Sequence, residues 1–297
     1  MDWVVIANPV SGRGRGRKVG EAVTRALRER GIEADLRLTQ GRGDGVRLAS
    51  EALSEGRQRV AACGGDGTIS EVAGALANAD AALGLIPCGR GNDFARALGI
   101  RKGLNAVVET LIADTRRRID LGRVGGRFFC SVACVGFDAE AGRMVYEHQI
   151  PFTGTPAYLL AVLKTLKRYA CPDVRIEGDA GVFEGSILLA AFGNTGFYGG
   201  GMQIVPQALC DDGLLDACVV APFSRWKLLR FFPRIFSGAH VRLPEVHTLR
   251  SRSFRVESSR PLHVLADGEP AGQTPVTMEI VPQALTVIVP VNAKCKM

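Results

Sequence analysis

The chain has 297 residues, 46% of them hydrophobic, so it is long enough for two domains of ordinary size and its composition excludes an intrinsically disordered protein. Its formal charge of +7, from 37 lysine and arginine residues against 30 acidic ones, suits an anionic partner. No apolar stretch reaches the ~18 to 20 residues of a membrane span, and the eight cysteines show no CxxC spacing, so neither a spanning protein nor a zinc or disulfide framework is expected.

The first 120 residues alternate between strand and helix patterns. Strands are predicted over residues 4–7, 33–38, 60–62 and 83–86, and helices over residues 18–30, 45–54, 71–78 and 104–112. Such alternation indicates βαβ units and a mostly parallel sheet. Three of the strands run into polar, glycine-bearing loops, which we expect along the carboxyl edge of the sheet, where open α/β folds bind ligands.

The most informative of these loops is Gly64-Gly65-Asp66-Gly67-Thr68, between an apolar strand and a helix pattern. Glycines let the backbone approach a bound phosphate, and a helix amino terminus favours an anion. The Asp66 carboxylate makes sense beside phosphates if a magnesium ion lies between them. The loop therefore predicts a MgATP site, although a plain strand–helix connection stays an alternative.

The other two loops occupy equivalent strand ends. In chain order, the first loop is Asn8-Pro9-Val10-Ser11-Gly12-Arg13, the second loop is Gly64 to Thr68, and the third loop spans residues 87–96 with Gly89-Arg90-Gly91-Asn92-Asp93 at its centre. Arg13 is placed either near the nucleotide phosphates or at an ordinary solvated helix start. Both interpretations stay open.

After residue 120 the pattern changes to hairpins. Residues 119–124 and 127–132 read as two strands joined by the turn Gly125-Gly126. Further strands are predicted over residues 186–192, 214–220, 253–257, 262–266, 276–280 and 285–289. The sequence thus predicts an α/β domain over residues 1–120 and a mainly antiparallel β domain over residues 121–285.

These motifs resemble the diacylglycerol kinase catalytic family, which includes soluble bacterial diacylglycerol kinases, related bacterial lipid kinases, and the sphingosine and ceramide kinases. The resemblance covers nearly the whole chain. It rests on the first two loop motifs, on Asn92-Asp93-Phe94-Ala95-Arg96, on Asp267-Gly268-Glu269 and on Pro282-Gln283-Ala284-Leu285. It implies a nucleotide-binding domain of the NAD kinase and diacylglycerol kinase type, a β-sandwich second domain, and a return of residues 286–297 to the first domain.

The resemblance also implies roles for particular residues. The ATP contacts it implies are Asn8, Pro9, Ser11, Gly12, Arg13, Thr39, Gly64, Gly65, Asp66, Gly67, Thr68, Glu71, Arg90 and Asn92. Asp66, Asp93 and Asp120 form the catalytic metal network, although Asp93 is also a candidate helix cap and Asp120 a candidate partner of an arginine. Arg90 departs from the threonine usual in the family, and it either adds a phosphate contact or fills space meant for substrate.

Two more sites follow from the resemblance. Asp267 is the candidate general base, with Glu269 as its partner or alternative, while a hairpin turn explains the Asp-Gly pair locally. Asp212 and the carbonyls of Leu209 and Leu214 are candidate ligands of a structural magnesium, while an ordinary acidic turn is the alternative.

The sequence therefore predicts a cytoplasmic, ATP-dependent lipid kinase that converts diacylglycerol to phosphatidic acid with Mg²⁺. An NAD kinase-like enzyme and a catalytically inactive nucleotide-binding regulator are the alternatives. We expect peripheral contact with anionic membrane and no nucleic-acid partner, because no zinc finger, RRM or recognition-helix pattern occurs. A homodimer is left open. Residues 157–169 and 224–237 are amphipathic and either touch lipid or pack as core helices.

Overall fold

The computed structural model describes residues 2–147, 160–162, 164–165, 168–223, 227 and 232–291. The chain divides into two compact units. Unit 1 comprises Met1–Leu121, Cys210–Asp212 and Pro282–Met297, and unit 2 comprises Gly122–Leu209 and Gly213–Val281. The described part of the chain contains no helix that is long and apolar enough to cross a membrane.

Unit 1 is built on a parallel sheet in the order β2-β1-β3-β4. The strands are β1 Asp2–Ala7, β2 Glu33–Leu38, β3 Arg59–Gly64 and β4 Ala82–Pro87. The helices are α1 Ser11–Gly14, α2 Gly16–Arg28, α3 Asp44–Ser54, α4 Asp66–Ala75, α5 Asp93–Ala97 and α6 Leu104–Ala113. This confirms the predicted α/β class of the first half.

Helices cover both faces of this sheet. Alternate residues of β1, namely Trp3, Val5 and Ala7, pack with buried residues of α2 and α6 on one face. The apolar faces of α3 and α4 are buried on the other, where α3 contacts β1 and α4 contacts β3. Burial on both faces explains why the strands are short, nearly continuous apolar runs rather than alternating ones.

Helix α4 begins earlier than predicted. It starts at Asp66 and not at Glu71, so the aspartate, Gly67 and Thr68 form its first turn. An acidic residue is favourable there because the amino end of a helix carries partial positive charge. The glycines had suggested a longer loop, but Gly65 alone serves as the residue that precedes the helix.

Unit 2 is a β-sandwich with added helical segments, which include the 3-10 helix Ala239–Arg242. Its elements, some shared with unit 1, are β5 Arg116–Val124, β6 Arg127–Phe129, β7 Val132–Gly136, α7 Phe137–Tyr146, β8 Asp173–Gly178, β9 Gly181–Ser186, β10 Leu189–Gly193, β11 Leu215–Val220, β12 Val246–Ser251, β13 Ser253–Ser258, β14 His263–Ala266, β15 Glu269–Gln273 and β16 Val276–Ile288. One sheet has the antiparallel order β12-β11-β10-β7-β14-β15.

The second layer of the sandwich contains β13, β8 and β9, which also pair antiparallel. Side chains from both layers share one core, in which Phe192 of the first layer stacks on Phe254 of the second with ring centroids 5.3 Å apart. The predicted antiparallel β-sandwich class is therefore confirmed. Strand β16 contributes to both units: Met278 pairs with Phe254 in unit 2, and Val287 pairs with Leu83 in unit 1.

Several element boundaries differ from the prediction. Residues 276–288 form one strand with an irregularity at Gln283 and not two strands. The strand predicted over residues 127–132 breaks after Phe129, because the N–H groups of Cys130 and Ser131 donate to Asp267 and not to a neighbouring strand. The hydrophobic pattern did not predict β7, α7, β8, β9, β12 or β15.

About half of each stretch with a lipid-facing alternative lies within the described residues. Within the first stretch, Ala161 and Thr165 are buried, which fits the core-helix alternative there. Within the second stretch, Ile235 is buried in the core of unit 2, which fits the core-helix alternative at that position. Phe232 and Phe236 are exposed and contact each other.

Candidate active site

The three glycine-bearing loops of unit 1 meet at one edge of the parallel sheet. The chain passes from β1 to β2 on one side and returns to β3 on the other, so β1 and β3 form the point at which the strand order reverses. Open α/β sheets bind ligands outside the carboxyl ends of the strands at such a point. Asn8 follows β1 there, and its N–H donates to the carbonyl of Cys63 on β3 at 2.9 Å.

Asn8 ties the first loop to the second. Its Nδ2 donates to Thr68 Oγ1 at 3.1 Å, across a sequence separation of 60 residues. Its Oδ1 accepts the N–H of Val10 at 3.1 Å, which fixes the turn that carries Pro9 and Ser11. One amide side chain thus holds two of the predicted nucleotide-binding motifs together.

Glycine is required where the loops touch. Gly12 has φ +63°, and a Cβ on it would lie 2.3 Å from the carbonyl oxygen of Cys88 in the third loop. A Cβ on Gly89 would lie 2.5 Å from the Cα of Gly65. All three loops therefore pack backbone against backbone, and a larger residue at either glycine would separate them.

Asp66 clamps the third loop. Its Oδ2 accepts the N–H of Asn92 at 2.7 Å, and its Oδ1 accepts the N–H of Asp93 at 2.7 Å. Asn92 closes the loop by accepting from Gly89 N and donating to Gly89 O. The structure thus brings three predicted site residues, Asp66, Asn92 and Asp93, into direct contact. It also assigns Asp66 a positioning role that the sequence did not indicate.

The surroundings of these loops are electropositive. Arg13 and Arg90 are exposed at the tips of the first and third loops, and the side chains of Arg15 and Lys102 lie close enough to influence Cys88. In the described part of the chain, none of these four cations is ion-paired with a carboxylate. Together with the amino end of α4, they form a surface suited to phosphate groups.

Thr39 lies beside the first loop, whereas Glu71 binds the start of α3. Thr39 is buried at the end of β2, and its N–H donates to Ala7 O at 3.0 Å, beside the first loop. Glu71 uses both carboxylate oxygens to accept the N–H groups of Gly43 and Gly45 at 2.8 and 2.9 Å. Its observed role is to hold the start of α3, and its predicted contact with ATP stays a prediction.

Asp120 has partners outside the three loops. It is buried, its Oδ1 accepts the N–H of Gln283 at 2.7 Å, and its own N–H donates to Cys210 O at 2.7 Å. Asp211, the residue after Cys210, forms an ion pair with Arg117. Asp120 is therefore beside the turn that carries Asp212, which is exposed, whereas Leu209 and Leu214 flank that turn on the chain.

The candidate base lies in unit 2. Asp267 and Gly268 have φ values of +49° and +81° and form the two-residue turn between β14 and β15, as the Asp-Gly pair predicted. The Asp267 carboxylate accepts three backbone N–H groups, from Cys130 at 2.6 Å, Ser131 at 2.9 Å and Val132 at 3.2 Å. Glu269 is ion-paired with Arg127.

Comparison with known proteins agrees with this architecture. Residues 2–124 match the model of the diacylglycerol kinase catalytic domain. Residues 131–289 match the model of the YegS C-terminal NAD kinase beta sandwich-like domain. The chain belongs to the diacylglycerol kinase family. Members of this family are lipid kinases, and this chain is accordingly an enzyme of that class.

Curated relatives span the same length. A diacylglycerol kinase of Mycobacterium tuberculosis is 37% identical over 297 residues, covering 96% of this chain and 94% of the relative. A diacylglycerol kinase of Staphylococcus carnosus is 30% identical, with 98% and 95% covered. A Pseudomonas fluorescens protein named "Probable lipid kinase YegS-like" is 35% identical, with 91% and 90% covered.

The fold is shared with solved structures. One from Bacillus anthracis str. Sterne, described as a diacylglycerol kinase, superposes with a TM-score of 0.75 at 21% identity, covering 99% of this chain and 98% of the other. A second from the same organism reaches a TM-score of 0.80 at 24% identity, with the same coverage. At these identities the likeness establishes the fold.

Proposed function

We propose that this lipid kinase transfers the γ-phosphoryl group of ATP to the hydroxyl of diacylglycerol and so forms phosphatidic acid. The convergence of three glycine-bearing loops on one electropositive strand edge carries this proposal. Phosphoryl transfer needs positioned phosphates and stabilised charge more than it needs covalent chemistry from the protein. The bacterial relatives named diacylglycerol kinase support diacylglycerol as the acceptor.

Unit 1 supplies the phosphate site in this proposal. The amino end of α4 and the glycine backbones of the three loops bind the phosphates, and Arg13 and Arg90 neutralise their charge from the loop tips. The Asn8–Thr68 hydrogen bond supports the arrangement, since it holds two loops in register before any ligand binds.

Mg²⁺ fits the carboxylates of this site. Asp66 Oδ2 accepts one backbone N–H and retains a second lone pair, whereas Oδ1 accepts the N–H of Asp93 and, at 3.5 Å, that of Phe94. Hard oxygen ligands of this kind are those Mg²⁺ prefers. Asp66 would hold the ion together with the phosphates, with Asp93 and Asp120 as further members of the network, since among the described residues no three carboxylates are placed to bind a cation by themselves. When bound, Mg²⁺ would offset the phosphate charge that develops during transfer.

The second candidate Mg²⁺ site is the turn before β11. There Asp212 would act with the carbonyls of Leu209 and Leu214. Asp120, a proposed member of the catalytic network, is a neighbour of this turn, because its N–H donates to Cys210 O. This contact supports a structural role for the ion.

Asp267 accepts the proton of the lipid hydroxyl in this account. Three backbone N–H groups fix its carboxylate, which supports the role because a general base must be held in one geometry. The Arg127–Glu269 ion pair steadies the same turn, so Glu269 acts as its partner. Because the acceptor is a membrane lipid, we also infer weak, salt-sensitive binding to anionic vesicles.

A transfer assay with radiolabelled ATP tests the proposal. The purified chain is offered diacylglycerol, sphingosine, phosphatidylglycerol and NAD in parallel, with and without Mg²⁺. We expect label in phosphatidic acid at a rate at least tenfold above every other product. Label in NADP would favour the NAD kinase-like alternative, and ATP binding without any transfer would favour an inactive regulator.

A further inference from the structure

Two cysteines, Cys63 and Cys88, lie at the carboxyl ends of neighbouring strands in unit 1, where the second and third loops begin. Cys63 is the penultimate residue of β3, and Cys88 directly follows β4. In the parallel pairing of these strands Cys63 lies opposite Ile86, and Cys88 is two residues beyond Ile86, so the three side chains share one face. Both residues belong to one buried cluster and interact closely enough to shift each other's pKa, and the Cys63 thiol also donates to the carbonyl of Gly16 at 3.6 Å.

The two sulfurs differ in access and in charge. Cys63 is fully buried, whereas Cys88 is half-buried. The interaction with Cys63 lowers the pKa of the Cys88 thiol, burial opposes this, and the positive charges of Arg15 and Lys102 lower that pKa further. The same interaction and burial raise the pKa of Cys63, so Cys63 stays protonated. Cys88 is therefore the reactive sulfur, because the thiolate is the nucleophile.

Three other thiols of the described residues lack this environment. Burial raises the pKa of Cys134, Cys171 and Cys218. Cys171 is half-buried like Cys88 and so has comparable access to solvent. Cys171 therefore serves as an internal control: if exposure alone determined reactivity, Cys171 and Cys88 would oxidise at similar rates.

We propose that Cys88 and Cys63 form an oxidisable dithiol that reacts with peroxides and closes into a disulfide. The Cys88 thiolate attacks one peroxide oxygen, the O–O bond breaks, and hydroxide leaves to give a sulfenic acid at Cys88. The sulfur of Cys63 then attacks the sulfur of Cys88, the S–O bond breaks, and the released oxygen takes the Cys63 proton and leaves as water. Both sulfurs are oxidised and one peroxide is reduced.

The disulfide would alter the loops above it. An S–S bond is about 2.05 Å long, so Cys88 must move towards β3 when it forms. Gly89, the next residue, already packs against Gly65 without room for a Cβ, and it is hydrogen-bonded to Asn92. The movement would therefore disturb the clamp between Asn92 and Asp66. This consequence for activity rests on the proposed phosphate site, whereas the thiol chemistry does not.

The chemistry is tested on the wild-type protein by mass spectrometry. Native protein is treated with stoichiometric hydrogen peroxide, free thiols are alkylated, and peptides are mapped with and without reductant. We expect a Cys63–Cys88 cross-linked peptide that reductant removes, while Cys171 stays alkylatable. In Cys63→Ser we expect Cys88 sulfenic acid, trapped by dimedone. Oxidation of Cys171 as fast as Cys88, or no cross-link in the wild type, would overturn the proposal.

The effect on the site is measured separately. Oxidised wild type should lose turnover by roughly 10²-fold, the usual scale for a displaced catalytic loop, and reductant should restore it. Cys88→Ser should keep its turnover after peroxide treatment, whereas Cys171→Ser should lose activity like the wild type. A reversible cross-link without change in ATP binding would refute the link to the loops and leave the dithiol in place. A protein with the cross-link but without kinase activity in any state would count against the proposed function alone.

Discussion

The carboxylate of Asp66 accepts the backbone N–H of Asp93 at 2.7 Å, so the aspartate of the second loop holds the start of the helix that follows the third. The sequence suggested Asp66 as a metal ligand and a nucleotide contact. With both oxygens engaged by N–H donors, the residue also determines where Asn92 and Asp93 lie.

Asp66→Asn should therefore leave the protein folded and lower turnover by at least ~10²-fold, because one carboxylate oxygen becomes an amide N–H that cannot accept. Steady-state turnover and ATP calorimetry measure the change, with Asp80→Asn as a control. If Asp66 also binds metal, the Mg²⁺ concentration for half-maximal activity rises in the variant. Near-normal turnover at saturating MgATP would contradict both roles.

Asn8 and Thr68 should behave as a coupled pair. Asn8→Ala and Thr68→Val each remove the hydrogen bond between the first two loops, which contributes about 0.5 to 1.5 kcal/mol to the free energy of unfolding. The double variant should cost less than the sum of the single variants, as a thermal-unfolding cycle would measure. Strictly additive losses, in stability and in ATP affinity, would mean that the contact does not link the loops.

Glu71→Gln should affect stability before it affects nucleotide binding. The glutamate accepts two N–H groups at the amino end of α3, and an amide can satisfy only one of them. We expect the free energy of unfolding to fall by about 1 to 3 kcal/mol. Denaturant unfolding beside ATP calorimetry checks this. A large loss of ATP affinity in a protein of unchanged stability would instead support direct contact between Glu71 and ATP.

Asp138 should make the stability of unit 2 depend on pH. Burial raises the pKa of this carboxyl to about 7, although it accepts the N–H of Ala139. In the unfolded chain it titrates near ~4, so between pH ~4 and ~7 the folded state holds a proton that the unfolded state has released. Its contribution to stability is complete below that window and is lost as the pH rises through it, by about 1.4 kcal/mol per pH unit.

Asp138→Asn is the matched control for this effect, since the amide cannot titrate. The difference in free energy of unfolding between wild type and variant should change steeply across the window and stay flat above pH ~8. A constant difference from pH 4 to pH 8 would show that Asp138 titrates normally in the folded protein.

The sequence predicted those features that depend on local pattern. The strands before Asn8 and Gly64 follow from short apolar runs, and the turns at Gly125-Gly126 and Asp267-Gly268 follow from residues that accept positive φ. The family motifs then indicated which loops carry chemistry.

Contacts between residues distant in sequence could not be predicted. Nothing in the neighbourhood of Glu71 indicates that it binds the backbone of Gly43, 28 residues earlier. The break after Phe129 depends on Asp267, which lies 137 residues from Cys130. Strand β15 carries Pro270 and Gly272, so its intrinsic strand propensity is poor, and pairing with β14 decides its structure.

Asp267→Asn needs a stability control, because Asp267 holds backbone groups that are distant in sequence. The carboxylate accepts three backbone N–H groups, so the amide would face one of them with a donor and lower the free energy of unfolding by about 1 to 3 kcal/mol. Glu269→Gln, which weakens the pairing with Arg127, reports on the same turn without touching those donors.

The central claim is that unit 1 binds ATP and that Asp267 of unit 2 activates the lipid hydroxyl. The direct test compares ATP affinity by calorimetry with turnover on saturating diacylglycerol, for wild type, Asp267→Asn and Glu269→Gln, at a temperature where all three are folded. We predict that Asp267→Asn lowers kcat by roughly 10²- to 10⁴-fold with ATP affinity nearly unchanged. A loss of ATP affinity large enough to explain the lost turnover, or normal turnover in Asp267→Asn beside a large loss in Glu269→Gln, would contradict the claim.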